Sequence, residues 1–181
     1  MFLLVVAWML VAAPRERAVM IYPRERVWFR RAFYNRHQHE LQRELQKRYA
    51  VEVHDQVATD AALFAIDIRG AKLLVLSAHG GPYAMSFNGR RSRTVDTSDQ
   101  ARLTGFFSQL APDATIILQS CYTGLGFARI VKKAAGPNRR VIAAQGEIPL
   151  DGVVITSLAP LDVAITCRDN HGQTWDCKIG L

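Results

Sequence analysis

The sequence predicts an α/β fold, a three-layer αβα sandwich around a mainly parallel central sheet. Three mainly apolar runs lead to this prediction, namely AKLLVLSA, ATIILQS and RRVIAAQGE. Runs of this kind are typical of strands that are buried on both faces. Amphipathic or capped segments with the periodicity of helices lie between them. Because strand and helix alternate, we expect parallel strands joined by helices that cover both faces of the sheet.

The composition is typical of a globular protein with a core of its own. Of the 181 residues, 49% are hydrophobic and 22% are charged, which excludes a disordered chain and suits one domain. The net charge of +7 is unevenly distributed, because residues 1–49 hold ten basic side chains against four acidic ones. The basic residues are Arg15, Arg17, Arg24, Arg26, Arg30, Arg31, Arg36, Arg43, Lys47 and Arg48. They indicate an acidic partner, a phosphate-rich ligand or an anionic membrane surface, or else a solvated helix face.

An apolar segment, MFLLVVAWMLVAA, opens the chain at residues 1–13. It is shorter than the roughly 20 residues that a membrane-spanning helix needs. The small residues Val11-Ala12-Ala13 are typical of a signal-peptide cleavage site, but the arginines follow the apolar run where a signal would have them precede it. We interpret residues 1–17 as a signal-like or membrane-proximal segment, with a buried strand or a misassigned start as alternatives. This interpretation favours a secreted or periplasmic protein over a cytoplasmic one.

The main domain is expected at residues 18–158 and begins with a strand at 18–23. A helix follows at 33–49, because less polar residues recur there every four positions. These residues are Phe33, His37, Leu41, Leu45 and Tyr49. The first half continues with a strand at 50–56, a helix with a Thr or Asp cap at 59–68 and a strand at 71–78.

The second half of the chain begins with a predicted hairpin around Asn88-Gly89, within residues 83–95. The elements after it are a capped helix at 98–110, a strand at 114–120, a helix at 124–136 that ends at Gly136, a strand at 139–147 and a strand region at 151–167. Residues 159–181 are expected to form a C-terminal strand and hairpin that pack on the same domain.

Three cysteines are present, and two of them flank a turn. Cys167 and Cys177 enclose RDNHGQTWD, whose Asn, Gly and Asp residues are typical of a hairpin turn. In an exported chain these two cysteines would form a disulfide across the turn, which would leave Cys121 as the odd thiol. In a reducing cytosol all three thiols would be free.

His79 and Cys121 are the candidate reactive residues, because each follows a predicted buried strand. In parallel α/β sheets the functional residues lie at the carboxyl ends of the strands. A cysteine nucleophile needs a base and hydrogen-bond donors for the oxyanion. His79 is the candidate base, and Gly80 allows a carbonyl group to approach closely. We expect the N-terminus of the helix after Cys121 to favour its thiolate.

The two stretches LLVLSAHGG and TIILQSCYTG resemble the signature of the caspase-like (clan CD) cysteine peptidases. This family includes caspases, metacaspases, clostripain, gingipains, RTX-toxin autoprocessing domains and bacterial CHAT domains. Its signature is an apolar strand that ends in His-Gly, followed by one that ends in a small residue and Cys. In element order the resemblance covers roughly residues 18–157, and about twenty residues carry it as motif.

The resemblance implies a cysteine endopeptidase that acts on a protein or peptide substrate, without a metal or other cofactor. His79 would be the general acid/base and Cys121 the nucleophile, and the backbone amides of Gly80 and Cys121 would form the oxyanion hole. Gln119 and Ser120 would bind substrate, with Gln119 at the mouth of the S1 pocket. Because Gln119 is neutral, a charge that selects a basic residue before the scissile bond would come from Asp96, Asp99 or Glu147.

The sequence leaves three alternatives to the peptidase function. One is a catalytically silent caspase-like module that docks an acidic partner through the basic Arg15–Arg48 region. Another is a nucleic-acid binder, which only the net charge of +7 suggests and which we do not expect. The third is a zinc protein, which we also do not expect, because His37 and His39 lie on opposite sides of a helix.

Overall fold

A computed structural model describes residues 14–24, 28–87, 94–149 and 151–181, with the backbone alone at 28–36 and 94. The apolar segment 1–13 and the Asn88-Gly89 turn lie outside the described residues. The strands are β1 (Glu16–Pro23), β2 (Tyr49–Val57), β3 (Leu73–Ser77), β4 (His79–Gly81), β5 (Ala84–Ser86), β6 (Thr94–Val95), β7 (Thr115–Gln119), β8 (Arg140–Ala144), β9 (Val153–Leu158), β10 (Leu161–Arg168), β11 (Thr174–Asp176) and β12 (Lys178–Gly180). The helices are α1 (Trp28–Gln46), α2 (Asp60–Phe64), α3 (Gln100–Phe107) and α4 (Phe127–Ala135).

The central sheet has six strands in the order β2-β1-β3-β7-β8-β12. The first five run parallel, and β12 pairs antiparallel with β8 at the edge. The prediction of an α/β fold with a mainly parallel sheet is therefore confirmed. β1 has β2 on one side and β3 on the other, so the strand order reverses direction at β1. In open α/β sheets ligands bind at the carboxyl ends of the strands near such a reversal.

Both faces of the central strands are covered by apolar side chains. On one face Leu74 and Leu76 of β3 belong to a core cluster with side chains from α2, α3 and α4. On the other face Leu73 and Val75 belong to a second cluster with side chains from α1, β9 and β10. All five residues of β3 are buried, which explains why its sequence is apolar without alternation.

Several predicted helix boundaries are confirmed by their caps. The hydroxyl of Thr59 accepts a hydrogen bond from the N–H of Ala62 at 3.0 Å and begins α2. A 3-10 turn at Thr97–Asp99, capped by Asp96, leads into α3. α4 ends just before Gly136, whose φ of 87° is a conformation that glycine adopts readily. Among the described helices none is long and apolar enough to cross a membrane.

α1 and the two ends of the domain differ from the prediction. α1 spans Trp28–Gln46, so Tyr49 lies in β2 where the sequence predicted the last turn of the helix. Leu41 and Leu45 of its predicted face are buried. β1 begins at Glu16, within the segment predicted at residues 1–17. At the C-terminus, the β9–β10 hairpin crosses the boundary expected after residue 158.

A second, smaller sheet leaves the main one after β3. β4 pairs antiparallel with β5, and β5 pairs with β6. The pairing of Met85 with Val95 confirms the predicted hairpin. The sequence did not predict β4 as a strand, because three residues are too few to show a period of two.

Candidate active site

The two candidate catalytic residues follow adjacent parallel strands. β3 and β7 pair in register up to their last residues. One residue further on, the hydroxyl of Ser120 donates to the carbonyl oxygen of Ala78 at 2.7 Å and accepts from the Ala78 N–H at 3.2 Å. This double hydrogen bond clamps the two strand ends together beyond the ladder. His79 and Cys121 come directly after the clamp, where neighbouring strands lie about 4.8 Å apart.

The backbone of Gly80 lies against that of Cys121. A Cβ atom on Gly80 would overlap the carbonyl oxygen of Cys121 and would lie 2.8 Å from its backbone nitrogen. Glycine permits this approach because it has no side chain to hold the two backbones apart. The contact brings together the backbones of the two residues whose amides the sequence predicted for the oxyanion hole. The next residue, Gly81, is less constrained, since a Cβ there would have its nearest neighbour at 3.9 Å.

His79 is exposed at the first position of β4. Its backbone is held by the small sheet, where it lies opposite Ser86 of β5. The chain therefore turns out of the main sheet directly after Ala78, and the histidine stands at the start of the new strand. An exposed imidazole on a backbone fixed in this way is accessible to a ligand at this edge.

Cys121 is a free, partly buried thiol whose sulfur accepts a hydrogen bond from the N–H of Ile148 at 3.4 Å. Burial raises the pKa of the thiol, the Ile148 N–H lowers it and the Glu147 carboxylate raises it. The net result is a pKa above the ordinary cysteine value, so the thiol is protonated at neutral pH. A reaction through Cys121 therefore needs a base that accepts this proton during the attack.

The expectation that a helix N-terminus would favour the Cys121 thiolate is wrong, because the pKa of the thiol is raised and not lowered. Tyr122 has a left-handed backbone with φ of 59°, and a 3-10 turn at Thr123–Leu125 follows it. α4 begins only at Phe127. The electrostatic effect of a helix end falls off within its first turn, and here burial of the sulfur outweighs it.

The two residues predicted to bind substrate lie on opposite faces of β7 and its extension. Ser120 is 2% exposed and its hydroxyl is occupied by Ala78, so it joins the strands and does not face a substrate. Gln119 is partly buried, and its Oε1 atom has no hydrogen-bond partner among the described residues. Because a buried acceptor without a partner is costly, Gln119 is the one of the two that a ligand would stabilise.

Of the three acidic residues considered for the substrate pocket, only Glu147 lies beside the nucleophile. The Asp96 carboxylate accepts from the N–H of Ser98 at 2.8 Å, and the Asp99 carboxylate accepts from the N–H of Asp96 at 3.2 Å. These two residues therefore cap the turn before α3. Glu147 is exposed, and none of the described cations forms an ion pair with it.

The strand predicted at 139–147 ends at Ala144, and apart from Glu147 the sequence analysis gave no role at the site to residues 145–149, which cover Cys121. This segment follows β8, the parallel strand next to β7. The carbonyl oxygen of Gly146 accepts from the N–H of Tyr122 at 2.9 Å, and the N–H of Ile148 donates to the cysteine sulfur. A signal for it was present in the sequence, because the segment follows the carboxyl end of a parallel strand just as His79 and Cys121 do.

Part of the basic region Arg15–Arg48 is engaged within the domain. Arg15 donates to the carbonyl oxygen of Gln46 at 2.8 Å, and Arg17 pairs with Glu52 at 2.6 Å. Arg48 donates to the carbonyl oxygen of Leu158. The side chains of four further arginines of this region, Arg26, Arg30, Arg31 and Arg36, lie outside the described residues.

Comparison of the chain with protein-family models found no matching model, and comparison with curated protein sequences found no match. Among the described residues, no group of three His, Cys, Asp or Glu side chains is arranged to hold a metal ion.

Proposed function

We propose that the chain is a cysteine endopeptidase of the caspase-like type, with Cys121 as the nucleophile and His79 as the general acid/base. The observation that carries this proposal is the clamped pair of strand ends. Ser120 binds Ala78 through both of its hydrogen-bonding functions, so the residues that follow leave neighbouring strands side by side. The close packing of Gly80 on the Cys121 backbone supports these two residues as the source of the oxyanion-stabilising amides that acyl transfer requires.

The fold proposed with this activity is the three-layer caspase-like sandwich. Its support is the strand order β2-β1-β3-β7-β8-β12 together with core clusters on both faces of the sheet. In this fold the layers are α1 with β9 and β10, then the sheet, then α2, α3 and α4.

In the first half of the proposed reaction, His79 accepts the thiol proton while the Cys121 sulfur attacks the substrate carbonyl carbon. A C–S bond forms, and the carbonyl π electrons move onto oxygen. The amides of Gly80 and Cys121 donate hydrogen bonds to this oxyanion. The C–N bond then breaks, and the imidazolium gives its proton to the leaving amine. The product is a thioester between the acyl group and the cysteine sulfur.

In the second half, water attacks the thioester carbonyl and loses a proton to His79. The C–S bond breaks, the sulfur recovers a proton from the imidazolium, and the carboxylic acid leaves. The raised pKa of Cys121 fits this sequence, because a neutral thiol reacts only when a base removes its proton during the attack. His79 is the residue proposed for that role in both halves.

The substrate class proposed is a polypeptide with Arg or Lys immediately before the scissile bond. Two acceptors near Cys121 lack a partner among the described residues, the Gln119 Oε1 atom and the Glu147 carboxylate. Ile148 packs against the core cluster that contains Ile117, so this segment lies on the same side of the sheet as Gln119. A cationic, donor-rich side chain complements two such acceptors.

The experiment that tests the dyad is covalent labelling with peptidyl acyloxymethyl ketones that carry different residues before the reactive carbonyl. Adducts are mapped by mass spectrometry in the parent protein, in Cys121→Ala and in His79→Ala. We expect one adduct, on Cys121, formed fastest with Arg or Lys. His79→Ala should slow labelling and peptide hydrolysis by about 10²- to 10⁴-fold, the usual contribution of a general acid/base.

The matched control for His79 is His54→Ala on β2, where the imidazole contacts Glu52 at 2.6 Å. It removes a histidine on β2, which is two strands away from β3 in the sheet, and should leave labelling unchanged. An adduct that forms on Cys121 equally fast in the parent protein and in His79→Ala would rule out the dyad.

Absence of any adduct would favour the silent interaction module. The observation that supports this second candidate is the protonated, partly buried state of Cys121, which a binding module tolerates. Against it stands the engagement of Arg15, Arg17 and Arg48 within the domain, which leaves fewer cations for an acidic partner.

A further inference from the structure

We propose that the Cys167–Cys177 disulfide positions the nucleophile, by holding the segment of residues 145–149 against Cys121. The sequence raised this disulfide as one of two alternatives, and the structure contains it. The inference concerns the state of the Cys121 thiol, and its consequence for turnover rests on the proposed peptidase function. No redox step is part of it, because the intact bond acts as a fixed support.

The first line of support is a set of backbone hydrogen bonds between the disulfide region and the segment. The N–H of Gln145 donates to the carbonyl oxygen of Cys177 at 3.0 Å, directly before Gly146. The N–H of Arg168, the residue after Cys167, donates to the carbonyl oxygen of Glu147 at 2.8 Å. Both half-cystines are thus tied, directly or through the next residue, to the segment that contacts the nucleophile.

The second line of support is the packing of Gly146. A Cβ atom there would lie 2.9 Å from the Cys167 sulfur and 2.8 Å from Cζ2 of Trp175. The Trp175 ring is 43% exposed and has room to move away. The sulfur has no such freedom, because it is fully buried and covalently bound. The disulfide therefore forms the rigid wall against which the segment rests.

The position of the bond in the sheet completes the support. Cys167 lies in β10, and Cys177 lies directly before β12, which pairs with the edge of β8. The disulfide thus joins β10 to the strand that borders β8, and the segment begins where β8 ends. Both cysteines are buried, which suits a permanent support.

From the segment, two contacts reach the candidate active site. The Gly146 carbonyl accepts from the N–H of Tyr122, and the Ile148 N–H donates to the Cys121 sulfur. If the disulfide is absent, the segment loses the rigid surface on which it packs, and both of these hydrogen bonds weaken. The sulfur then becomes more exposed and moves away from Glu147. Burial and the Glu147 charge, which raise the pKa, weaken together with the Ile148 hydrogen bond, which lowers it, so the thiol titrates closer to its ordinary value.

The test is alkylation of Cys121 by iodoacetamide in the parent protein and in the double variant Cys167→Ala/Cys177→Ala. Initial rates are followed by mass spectrometry of the Cys121 peptide over a range of pH. We expect the double variant to be alkylated several-fold faster at neutral pH, with the midpoint of the rate profile at lower pH. Peptide turnover, in contrast, should decrease, because the nucleophile is less well positioned.

Alkylation through global unfolding is separated by repeating the measurement at low urea concentrations. A reaction that needs global unfolding accelerates with urea along the slope of the unfolding curve, whereas a reaction at the native site is nearly independent of urea. We expect the faster alkylation of the double variant to be independent of urea. Rates and pH profiles that match the parent protein, or acceleration only along the unfolding slope, would overturn the proposal.

A second variant keeps the test decisive if the double variant fails to fold. Gly146→Ala with the disulfide intact places a methyl group against the Cys167 sulfur and should accelerate alkylation as well. Trp175→Ala should not rescue it, because the ring is the movable neighbour. In the background without the disulfide, Gly146→Ala should add little. Full rescue by Trp175→Ala would show that the ring, and not the disulfide, positions the segment.

Alkylation requires no peptidase activity, so the two proposals fail separately. If the parent protein hydrolyses no peptide but the double variant shows the faster alkylation, the positioning role holds and the peptidase function does not. If the parent protein hydrolyses peptide and the disulfide leaves the thiol unaffected, the positioning role is the one that is wrong.

Discussion

Where the parallel strands begin, charged side chains are paired with one another, and where the strands end, a buried acceptor, the Gln119 Oε1 atom, has no hydrogen-bond partner among the described residues. At the first edge Arg17 pairs with Glu52 at 2.6 Å, Lys72 pairs with Asp113, and Arg140 pairs with Asp162 at 2.9 Å. The exposed His79 and the partly buried Cys121 lie at the second edge, together with Gln119.

The difference between the edges separates stability from chemistry. The ion pairs at the first edge join partly exposed groups, and each contributes a modest stabilisation. At the second edge lie an acceptor that has no partner among the described residues, a left-handed Tyr122 and a thiol whose pKa is raised. Such unfavourable features persist where a ligand or a reaction makes use of them. Substitutions at the two edges should therefore affect different measurements.

The largest effect on stability is expected from Arg139→Ala, at the edge where the strands begin. Its guanidinium donates to four carbonyl oxygens, those of Ser108, Leu110, Ala111 and Ala135. Without it, the carbonyl groups at the C-terminal ends of α3 and α4 lose a charged donor. We expect the free energy of unfolding to fall by about 2–4 kcal/mol, as measured by urea denaturation.

Labelling of Cys121 under native conditions should be unchanged in Arg139→Ala, because this arginine lies at the other edge. The matched control is Arg69→Ala, whose side chain is 76% exposed and pairs with Asp67. It should cost less than about 1 kcal/mol. If Arg139→Ala slowed labelling while the protein remained folded, the separation of the two edges would not hold.

The sequence predicted the sheet well because the buried strands are apolar throughout. β3 and β7 lie among core side chains on both faces, and such strands are visible as continuous runs. The short strands were harder to predict from the sequence. β12 has three residues and joins the sheet beside β8, a pairing set by distant contacts and by the disulfide, which a local pattern does not contain.

The sequence predicted the candidate site only as far as the strand ends. His79, Cys121 and Gly80 lie where the apolar runs and the glycine indicated. The role of Ser120 was wrong, because whether a strand-end hydroxyl faces solvent or the neighbouring strand depends on register. The expected thiolate at Cys121 was wrong, because burial of the sulfur raises the pKa of the thiol and the helix that was expected to lower it begins only at Phe127. The position of residues 145–149 over Cys121 could not be predicted from the sequence, because it depends on how β8, β10 and β12 are arranged.

An intermediate effect, on activity and stability together, is expected from Gly80→Ala. The new methyl group would overlap the Cys121 carbonyl oxygen and lie 2.8 Å from its backbone nitrogen. Because both neighbours are backbone atoms, the two strand ends must separate. We expect the free energy of unfolding to fall by about 1–3 kcal/mol and peptide hydrolysis to decrease more than labelling by a small alkylating agent. Urea denaturation and peptide-cleavage kinetics measure the two effects.

Gly105→Ala is the matched control for Gly80→Ala. This glycine lies within α3, and a Cβ atom there would meet nothing within 4 Å. Alanine favours a helix by about 0.5–1 kcal/mol over glycine, so this variant should be slightly more stable and fully active. Equal stability and equal peptide hydrolysis in the two variants would mean that the close approach of Gly80 to Cys121 contributes to neither.

The smallest effect is expected from Glu147→Gln, which removes one charge and retains the shape of the side chain. The carboxylate raises the pKa of the Cys121 thiol, because a negative charge opposes formation of a thiolate nearby. The substitution should therefore lower this pKa, so that more thiolate is present at a given pH below it. The pH profile of iodoacetamide alkylation should shift to lower pH, and cleavage after Arg or Lys should become slower.

Two further measurements identify the charge of Glu147 as the cause. Asp55→Asn removes an exposed carboxylate on β2 with the same change in net charge and should leave the alkylation profile in place. High salt should bring the profiles of Glu147→Gln and the parent protein together, because Glu147 is exposed and about 1 M salt reduces the screening length to about 3 Å. A shift that salt leaves unchanged would assign the effect to packing of the segment, and so to the disulfide that supports it.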